Sequence, residues 1–232
     1  MKLAERYATI LARLGGKFGL LDTELDYGTP FQLLVATVLS AQCTDKRVNI
    51  VTKRLFTDYP DAETMAQADV ETLFEYIKTV SYPNSKAKYL SGIARALIKE
   101  HAGEVPQTLE ALTQLPGVGR KTANVVLAFA FGQQTLAVDT HVFRVSHRLG
   151  LVPKSCTTPL AVEKALLRHI PADQVAPSHS WLLLHGRYTC TALRPKCGKC
   201  ELADLCKNNL VPTSPQKGKN IKEKNQNSIN KS

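Results

Sequence analysis

The nine residues Leu115-Pro116-Gly117-Val118-Gly119-Arg120-Lys121-Thr122-Ala123 decide how the chain is read. Proline fixes one backbone angle, and Gly117 and Gly119 admit positive φ, so the segment predicts two helices meeting in a tight hairpin. The backbone amides that open the second helix are then bare. With the positive end of the helix dipole they suit one phosphate oxygen, a contact that reads no base. Arg120 adds a positive charge at the same place. An ordinary helix connection bent at its glycines would carry the same residues, so the hairpin alone does not fix a function.

Lys121 falls in the first turn of the second helix, beside Arg120 and the positive helix end. Both neighbours disfavour a cation, which predicts an amine that gives up its proton more readily than an ordinary lysine of pKa about 10.4. A nucleophilic lysine needs that free-amine form. The other basic residues read mostly as phosphate-binding or solvated. After one apolar helix comes Val138-Asp139-Thr140-His141-Val142-Phe143-Arg144. Asp139 is placed to cap a helix that carries Val142, Val145 and Leu149 on one side. A cap fixes its carboxylate in space. Held opposite Lys121, that carboxylate could take its proton or stabilise positive charge developing on a sugar ring as a base departs.

The rest of the chain is helical in its spacing. Leu3, Tyr7, Ile10, Leu11 and Leu14 share one face, predicting a helix that stops at Gly15-Gly16. Thr29-Pro30 opens an apolar helix through Leu39, and Ser40-Ala41-Gln42-Cys43-Thr44-Asp45 interrupts it with small and polar residues suited to the mouth of a site. Val48, Val51, Leu55 and Phe56 continue the pattern. Asp61 and Asp69 read as caps of two short helices, and Ser85 opens a longer one that stops near Gly103. Thr108 caps the first helix of the hairpin. Residues 120–131 form the second, apolar on every side and so expected at the centre of a fold. Thr158-Pro159 and Ser178 signal two more. No stretch alternates as a strand would, so the fold class is all-α.

The 232 residues carry a net charge of +10 and a pI near 9.4, which points to a polyanionic partner, most simply nucleic acid. Half of that charge lies in residues 207–232, with six lysines and one glutamate in a stretch too polar to pack and expected to be a disordered basic tail. No start resembling a signal peptide and no run approaching ~18 apolar residues is present, which predicts a soluble intracellular protein with no membrane partner. No interface pattern argues against a monomer.

Cys190, Cys197, Cys200 and Cys206 form C-x6-C-x2-C-x5-C, with little apolar material between them to fold the segment otherwise. A metal must organise it. Four thiolates take zinc or an iron–sulfur cluster. Zinc loops usually pair two C-x2-C knuckles, and only one is present, so the spacing leans toward a [4Fe-4S] cluster. Arg194 and Lys196 lie between the first two ligands, where a clamped loop would present charge to a phosphate. Cys43 and Cys156 stand apart and read as packed thiols.

In this order, the hairpin with its lysine, the Val138-Asp139-Thr140-His141 segment and the cysteine array resemble the endonuclease III family of DNA glycosylases in the helix-hairpin-helix superfamily. Leu39-Ser40-Ala41-Gln42-Cys43-Thr44-Asp45 and Asn84-Ser85-Lys86-Ala87 are similar to further family segments, so the resemblance covers roughly residues 1–210. It implies two helical domains flanking a DNA-binding cleft. One is a six-helix barrel over residues 22–133; the other combines residues 1–21 and 134–210 and is closed by the cluster.

The activity implied is that of a bifunctional DNA glycosylase and AP lyase of base excision repair, nucleoid-associated in location. It would act on double-stranded DNA with oxidised bases or abasic sites, removing oxidised pyrimidines flipped into the cleft. Lys121 would form a Schiff base that cuts the strand by β-elimination, and Asp139 would assist. Gly117, Gly119 and Arg120 would hold the strand by its phosphates, while Gln42 would fill the gap left by the flipped base. Family members commonly carry Gly-Leu-Tyr where Ser81-Tyr82-Pro83 stands, so Tyr82 would have to serve as the wedge. The competing readings are a mismatch adenine glycosylase without lyase activity, which typically lacks the lysine, and a noncatalytic helix-hairpin-helix DNA-binding protein.

Overall fold

The computed structural model describes residues 1–19 and 23–208. The expected tail over 211–232 lies outside the described residues, as do the proposed domain limits near 21 and 210. Among the described residues the chain forms eleven α-helices, two short 3-10 turns and no strand. The helices are α1 (Leu3–Phe18), α2 (Pro30–Leu39), α3 (Asp45–Asp58), α4 (Ala62–Gln67), α5 (Val70–Ile77), α6 (Pro83–His101), α7 (Leu109–Gln114), α8 (Arg120–Phe131), α9 (Thr140–Arg148), α10 (Pro159–Leu167) and α11 (Val175–Tyr188).

Local chemistry explains most of the starts. Thr29, Thr44, Asp61, Asp69, Thr108, Asp139 and Thr158 each accept a hydrogen bond from a backbone N–H in the first turn that follows. Three expectations are corrected. Helix α1 runs through Gly15-Gly16 to Phe18, because bare Gly15 lets the Trp181 ring pack where a side chain would stand, 3.0 Å from its missing Cβ. Helix α6 begins at Pro83, two residues before Ser85, since proline suits the first turn. Helix α11 begins at Val175 rather than at Ser178.

Two apolar cores form. The first joins α2 to α8 through Leu34, Val38, Leu55, Ile77, Leu90, Ile93, Leu112 and Val126. The second brings α1 together with the later chain, packing Tyr7, Ile10 and Leu14 with Val142, Val145, Leu166, Trp181 and Leu202. Helix α8 departs from the all-apolar reading at Asn124, which is buried and donates Nδ2 to the Leu136 carbonyl at 3.1 Å. The Asn124 carbonyl accepts from Thr135 Oγ1 at 2.6 Å. One buried amide thus fixes the extended link that carries the chain from the first core to Asp139. No helix among the described residues is long and apolar enough to cross a membrane.

Candidate active site

The hairpin forms as expected between α7 and α8, with one correction. Only Gly117 takes positive φ, at 74°, and there a Cβ would fall 2.5 Å from the Tyr89 ring. Gly119 is extended at φ −92°, ψ 173°, and opens α8 with no side chain capping it. No other group lies within 4 Å of where its Cβ would stand. The Gly119 position is therefore open, and the first turn of this helix of 12 residues has no side-chain cap at its positive end.

Lys121 follows at once, exposed and lining an open cavity of about 200 Å³. Asp139, His179, Ser40, Asp45, Glu24 and Arg187 line the same cavity. Lys121 stands on a helix of the first core and Asp139 on one of the second, so the cavity lies between the cores. Asp139 Oδ1 accepts from Val142 N at 2.8 Å, which fixes the carboxylate as the cap the sequence predicts.

His179, which the sequence reading did not single out, completes the pocket. It is buried, and its Nδ1 lies 2.8 Å from the Ala137 carbonyl. A carbonyl only accepts, so Nδ1 carries the proton and Nε2 is left as an acceptor. Burial holds the imidazole below its ordinary range, against the upward pull of Asp139 and with a smaller lowering contribution from Lys121.

Arg120 does not stand free beside Lys121. Its Nε and Nη2 donate to Glu163 of α10 at 2.9 and 2.7 Å, and the Glu163 side chain is only 7% exposed. The charge placed next to Lys121 is therefore offset by a carboxylate, and the pair ties α8 to the second core. Gln42 and Tyr82 are exposed residues that share an unusual backbone, with left-handed φ of 54° and 56°. Below them, buried Lys86 donates Nζ to the carbonyls of Leu39 at 2.8 Å and Ala41 at 2.7 Å, closing the open end of α2.

The four cysteines meet at a second cavity, which Arg148, Leu149, His185, Pro195 and Lys196 also line. None is in a disulfide. Burial pushes the thiols of Cys200 and Cys206 up, and the neighbouring cysteines push them further. Four thiolates so placed would repel each other without a cation, and donors already face the sulfurs. Leu202 N lies 3.4 Å from Cys200 Sγ, and Arg148 Nη1 lies 3.5 Å from Cys190 Sγ. This donor set fits an anionic iron–sulfur cluster. His185, Cys200 and Glu201 also place ligand atoms within 4.8 Å of one another. Cys200 belongs to the four-thiol set, however, and Glu201 is paired with Lys17 at 2.9 Å, while His185 and Cys200 line the cysteine cavity itself.

Arg144 and Arg148 were not legible as site residues, yet they brace the loop after Cys190. Arg144 Nε donates to the Cys190 carbonyl at 3.1 Å, and Arg148 donates to Thr191 at 2.7 Å and Ala192 at 2.9 Å. The loop so held leaves Arg194 and Lys196 exposed.

Comparison with known proteins agrees with this geometry. Residues 35–172, which span the hairpin, Lys121 and Asp139, match the family described as HhH-GPD superfamily base excision DNA repair protein. Residues 190–206, bounded by the outer two cysteines, match the iron–sulfur binding domain of endonuclease III. The chain is similar to endonuclease III of Escherichia coli K12, 50% identical over 187 residues that cover 79% of this chain and 86% of the relative. It is also similar to endonuclease III of Haemophilus influenzae Rd, 47% identical over 197 residues covering 85% and 92%. A solved structure of a trapped endonuclease III–DNA covalent intermediate, an estranged-adenine complex, superposes with a TM-score of 0.85 at 41% identity over 90% of this chain and 98% of that one. The C-terminal segment carries a [4Fe-4S] cluster. With the hairpin, the inter-core pocket and the cysteine loop all accounted for, the chain belongs to the endonuclease III family of HhH-GPD base excision repair proteins.

Proposed function

We propose that the pocket between the cores removes oxidised pyrimidines from duplex DNA and then cleaves the strand, with Lys121 as nucleophile and Asp139 as its acid–base partner. The family gives the reaction class: a DNA glycosylase and AP lyase of base excision repair. The observation that carries the assignment of residues is that Lys121 and Asp139, from different cores, line one cavity together with a buried neutral imidazole.

In this reading a damaged nucleotide leaves the stack and enters the cavity, since C1′ is out of reach in a paired duplex. The Lys121 amine bonds to C1′ as the bond from C1′ to the base breaks, and the base departs with a proton. Asp139 accepts the proton that Nζ sheds and stabilises the positive charge on the sugar meanwhile. His179 Nε2 offers a second acceptor that is not already protonated. The ring opens to a Schiff base on Lys121, which acidifies C2′. Loss of the C2′ proton then expels the 3′ phosphate.

The hairpin amides at Gly117 and Gly119 hold the strand by a phosphate, with Arg120 kept beside them by Glu163. Gln42 and Tyr82 enter the duplex, while Arg194 and Lys196 contact its backbone from the cluster loop. Cys190, Cys197, Cys200 and Cys206 hold the cluster. When bound, it supplies structural closure of this loop, since neither base release nor β-elimination transfers an electron. The two apolar cores correspond to domains over 22–133 and over 1–21 with 134–210.

Borohydride trapping on a duplex containing thymine glycol tests the reading. A covalent complex is expected from the intact protein on damaged DNA and none from Lys121→Ala or on undamaged DNA. Trapping that survives Lys121→Ala, or its absence from the intact protein, overturns the assignment.

A further inference from the structure

A groove on the second core has no part in the chemistry above. Its volume is about 660 Å³, and it lies between the start of α1, the turn after α9 and one side of α10. Leu3, Pro153, Ala161 and Ala165 give it an apolar lining, and buried Leu151 and Val152 also reach it. The frame is fixed from within. Tyr7 donates Oη to the Leu151 carbonyl at 2.8 Å, and its ring lies against that of His169 with centroids 5.0 Å apart. Gly150 takes φ 64°, and any Cβ there would collide with the Lys207 side chain, whose stem is thereby laid along the backbone.

The formal charges that line the groove are all positive. Lys164 and Arg168 stand one turn apart on α10, Lys207 follows the last cysteine, and no carboxylate joins them. None of the three makes an ion pair among the described residues. The negative end of α10 suits Lys164 and Arg168, but it does not account for Lys207, which arrives from another segment. Three cations around an apolar hollow complement a partner that carries both carboxylates and apolar side chains.

Two features separate this groove from the DNA-binding side. Glu163 of α10 meets Arg120 of the hairpin, and at about 100° per residue positions 161, 164, 165 and 168 lie roughly 100–200° around the helix from it. The groove therefore faces away from the hairpin. A nucleic acid backbone would also bring charge without an apolar side chain to fill the hollow. Residues 209–232 hold five lysines and one glutamate, the same sign as the rim, and a second copy of a chain of net charge +10 would be repelled as well. We infer that the groove docks an acidic segment of a partner protein, with its carboxylates on Lys164, Arg168 and Lys207 and its large apolar side chains in the hollow, while DNA occupies the cleft.

Fluorescence anisotropy with the full chain tests this. The probe is a short labelled peptide of leucines at helical spacing separated by glutamates, run beside the same peptide with lysine for glutamate and another with serine for leucine. Only the first should bind, and salt should weaken it. Lys164→Glu with Arg168→Glu should weaken it about 10-fold or more, two attractions having become repulsions. Ala161→Trp leaves every charge in place but fills the hollow, and should cost a similar factor. These side chains are exposed or half-buried, so both variants should melt with the parent and bind an undamaged duplex with unchanged affinity. That duplex should not displace the peptide.

Displacement by the duplex, or a parallel loss of duplex affinity in the variants, would make the groove part of the DNA-binding surface. Self-association of the intact chain that the charge reversal abolishes would give it to a second copy. No binding of the first peptide, equal binding of all three, or equal binding of the first by parent and variants would leave no docking site. Each of these results overturns the inference.

Discussion

Ser81 donates its hydroxyl to the backbone carbonyl of Gln42 across 2.6 Å, tying together the two loops that hold the left-handed residues Gln42 and Tyr82. A non-glycine residue in that region costs about 1–2 kcal/mol, and such strain persists where surrounding contacts over-determine it. Here Ser81 binds one loop to the other, and Lys86 pins the carbonyls of Leu39 and Ala41 just before Gln42. The two exposed side chains are thereby carried on loops that are tied to each other.

Opposite signs are expected from one substitution at this place. Tyr82 is 63% exposed, so Tyr82→Gly forfeits little burial and relieves the backbone strain, offset by glycine's greater freedom in the unfolded chain. Stability should stay within about 1 kcal/mol of the parent or rise. Affinity for a lesion duplex should fall roughly 10-fold or more, the scale of one lost base–aromatic stack. Denaturant melts and binding titrations at fixed salt check both, and unchanged affinity would remove Tyr82 from the wedge role.

Asp139 has two duties that a pair of substitutions can separate. Asn caps a helix about as well as Asp, so Asp139→Asn should keep the hydrogen bond from Val142 N and fold normally. Its amide cannot take a proton, and turnover on damaged duplex should drop about 10²- to 10⁴-fold. Asp139→Ala should lose the same activity and also about 1 kcal/mol of stability. Single-turnover rates beside thermal melts decide this; near-parent turnover by Asp139→Asn would rule out the acid–base role.

How much of this was legible in the sequence follows from how local each signal is. The hairpin, the Asp139 cap and the cysteine spacing each lie within a few residues, where proline, glycine and capping chemistry act, and the structure forms each where expected. The pocket is otherwise. Glu24, Asp45 and the two α11 residues His179 and Arg187 come from three separated segments, and nothing in the spacing of a lone charge along a helix says which partner it will meet. Arg120 makes the same point in reverse: its neighbour in sequence is Lys121, but its partner lies 43 residues away. Asn124 was hidden because a single amide does not disturb an apolar helical pattern, although it fixes the link to Asp139.

The Arg120–Glu163 pair should behave asymmetrically. Glu163 is the buried partner, at 7% against 46% for Arg120. Arg120→Ala leaves that carboxylate buried and unpaired; with the arginine half exposed, the cost is expected near 1–2 kcal/mol, below the range for fully buried pairs. Replacing both, as Arg120→Met with Glu163→Leu, should recover most of that loss, because no charge is left stranded. A double-mutant cycle measured by denaturant unfolding tests it, and a double variant no more stable than Arg120→Ala would show that the pair is not what the single change breaks.

Stability should also carry the signature of His179. The folded protein keeps this imidazole neutral because burial lowers its pKa, whereas in the unfolded chain it titrates near 6.5. Between those two values the unfolded state binds the extra proton, so ∂ΔG/∂pH is positive: the contribution is whole above about pH 6.5 and is lost as pH falls. One such group sets a slope approaching 1.4 kcal/mol per pH unit, on the order of a tenfold change in the unfolding constant. His179→Gln can still donate to the Ala137 carbonyl but cannot titrate, so its stability should fall less steeply from pH 7 to pH 5 than that of the parent. Carboxylates whose pKa is lowered by their hydrogen bonds, such as Asp61 and Asp69, add their own acid dependence equally to both proteins and cancel in the difference. Parallel slopes in the two proteins would mean that His179 titrates in the fold as it does in the unfolded chain, and the lowering by burial assigned to it beside Asp139 would have to be withdrawn.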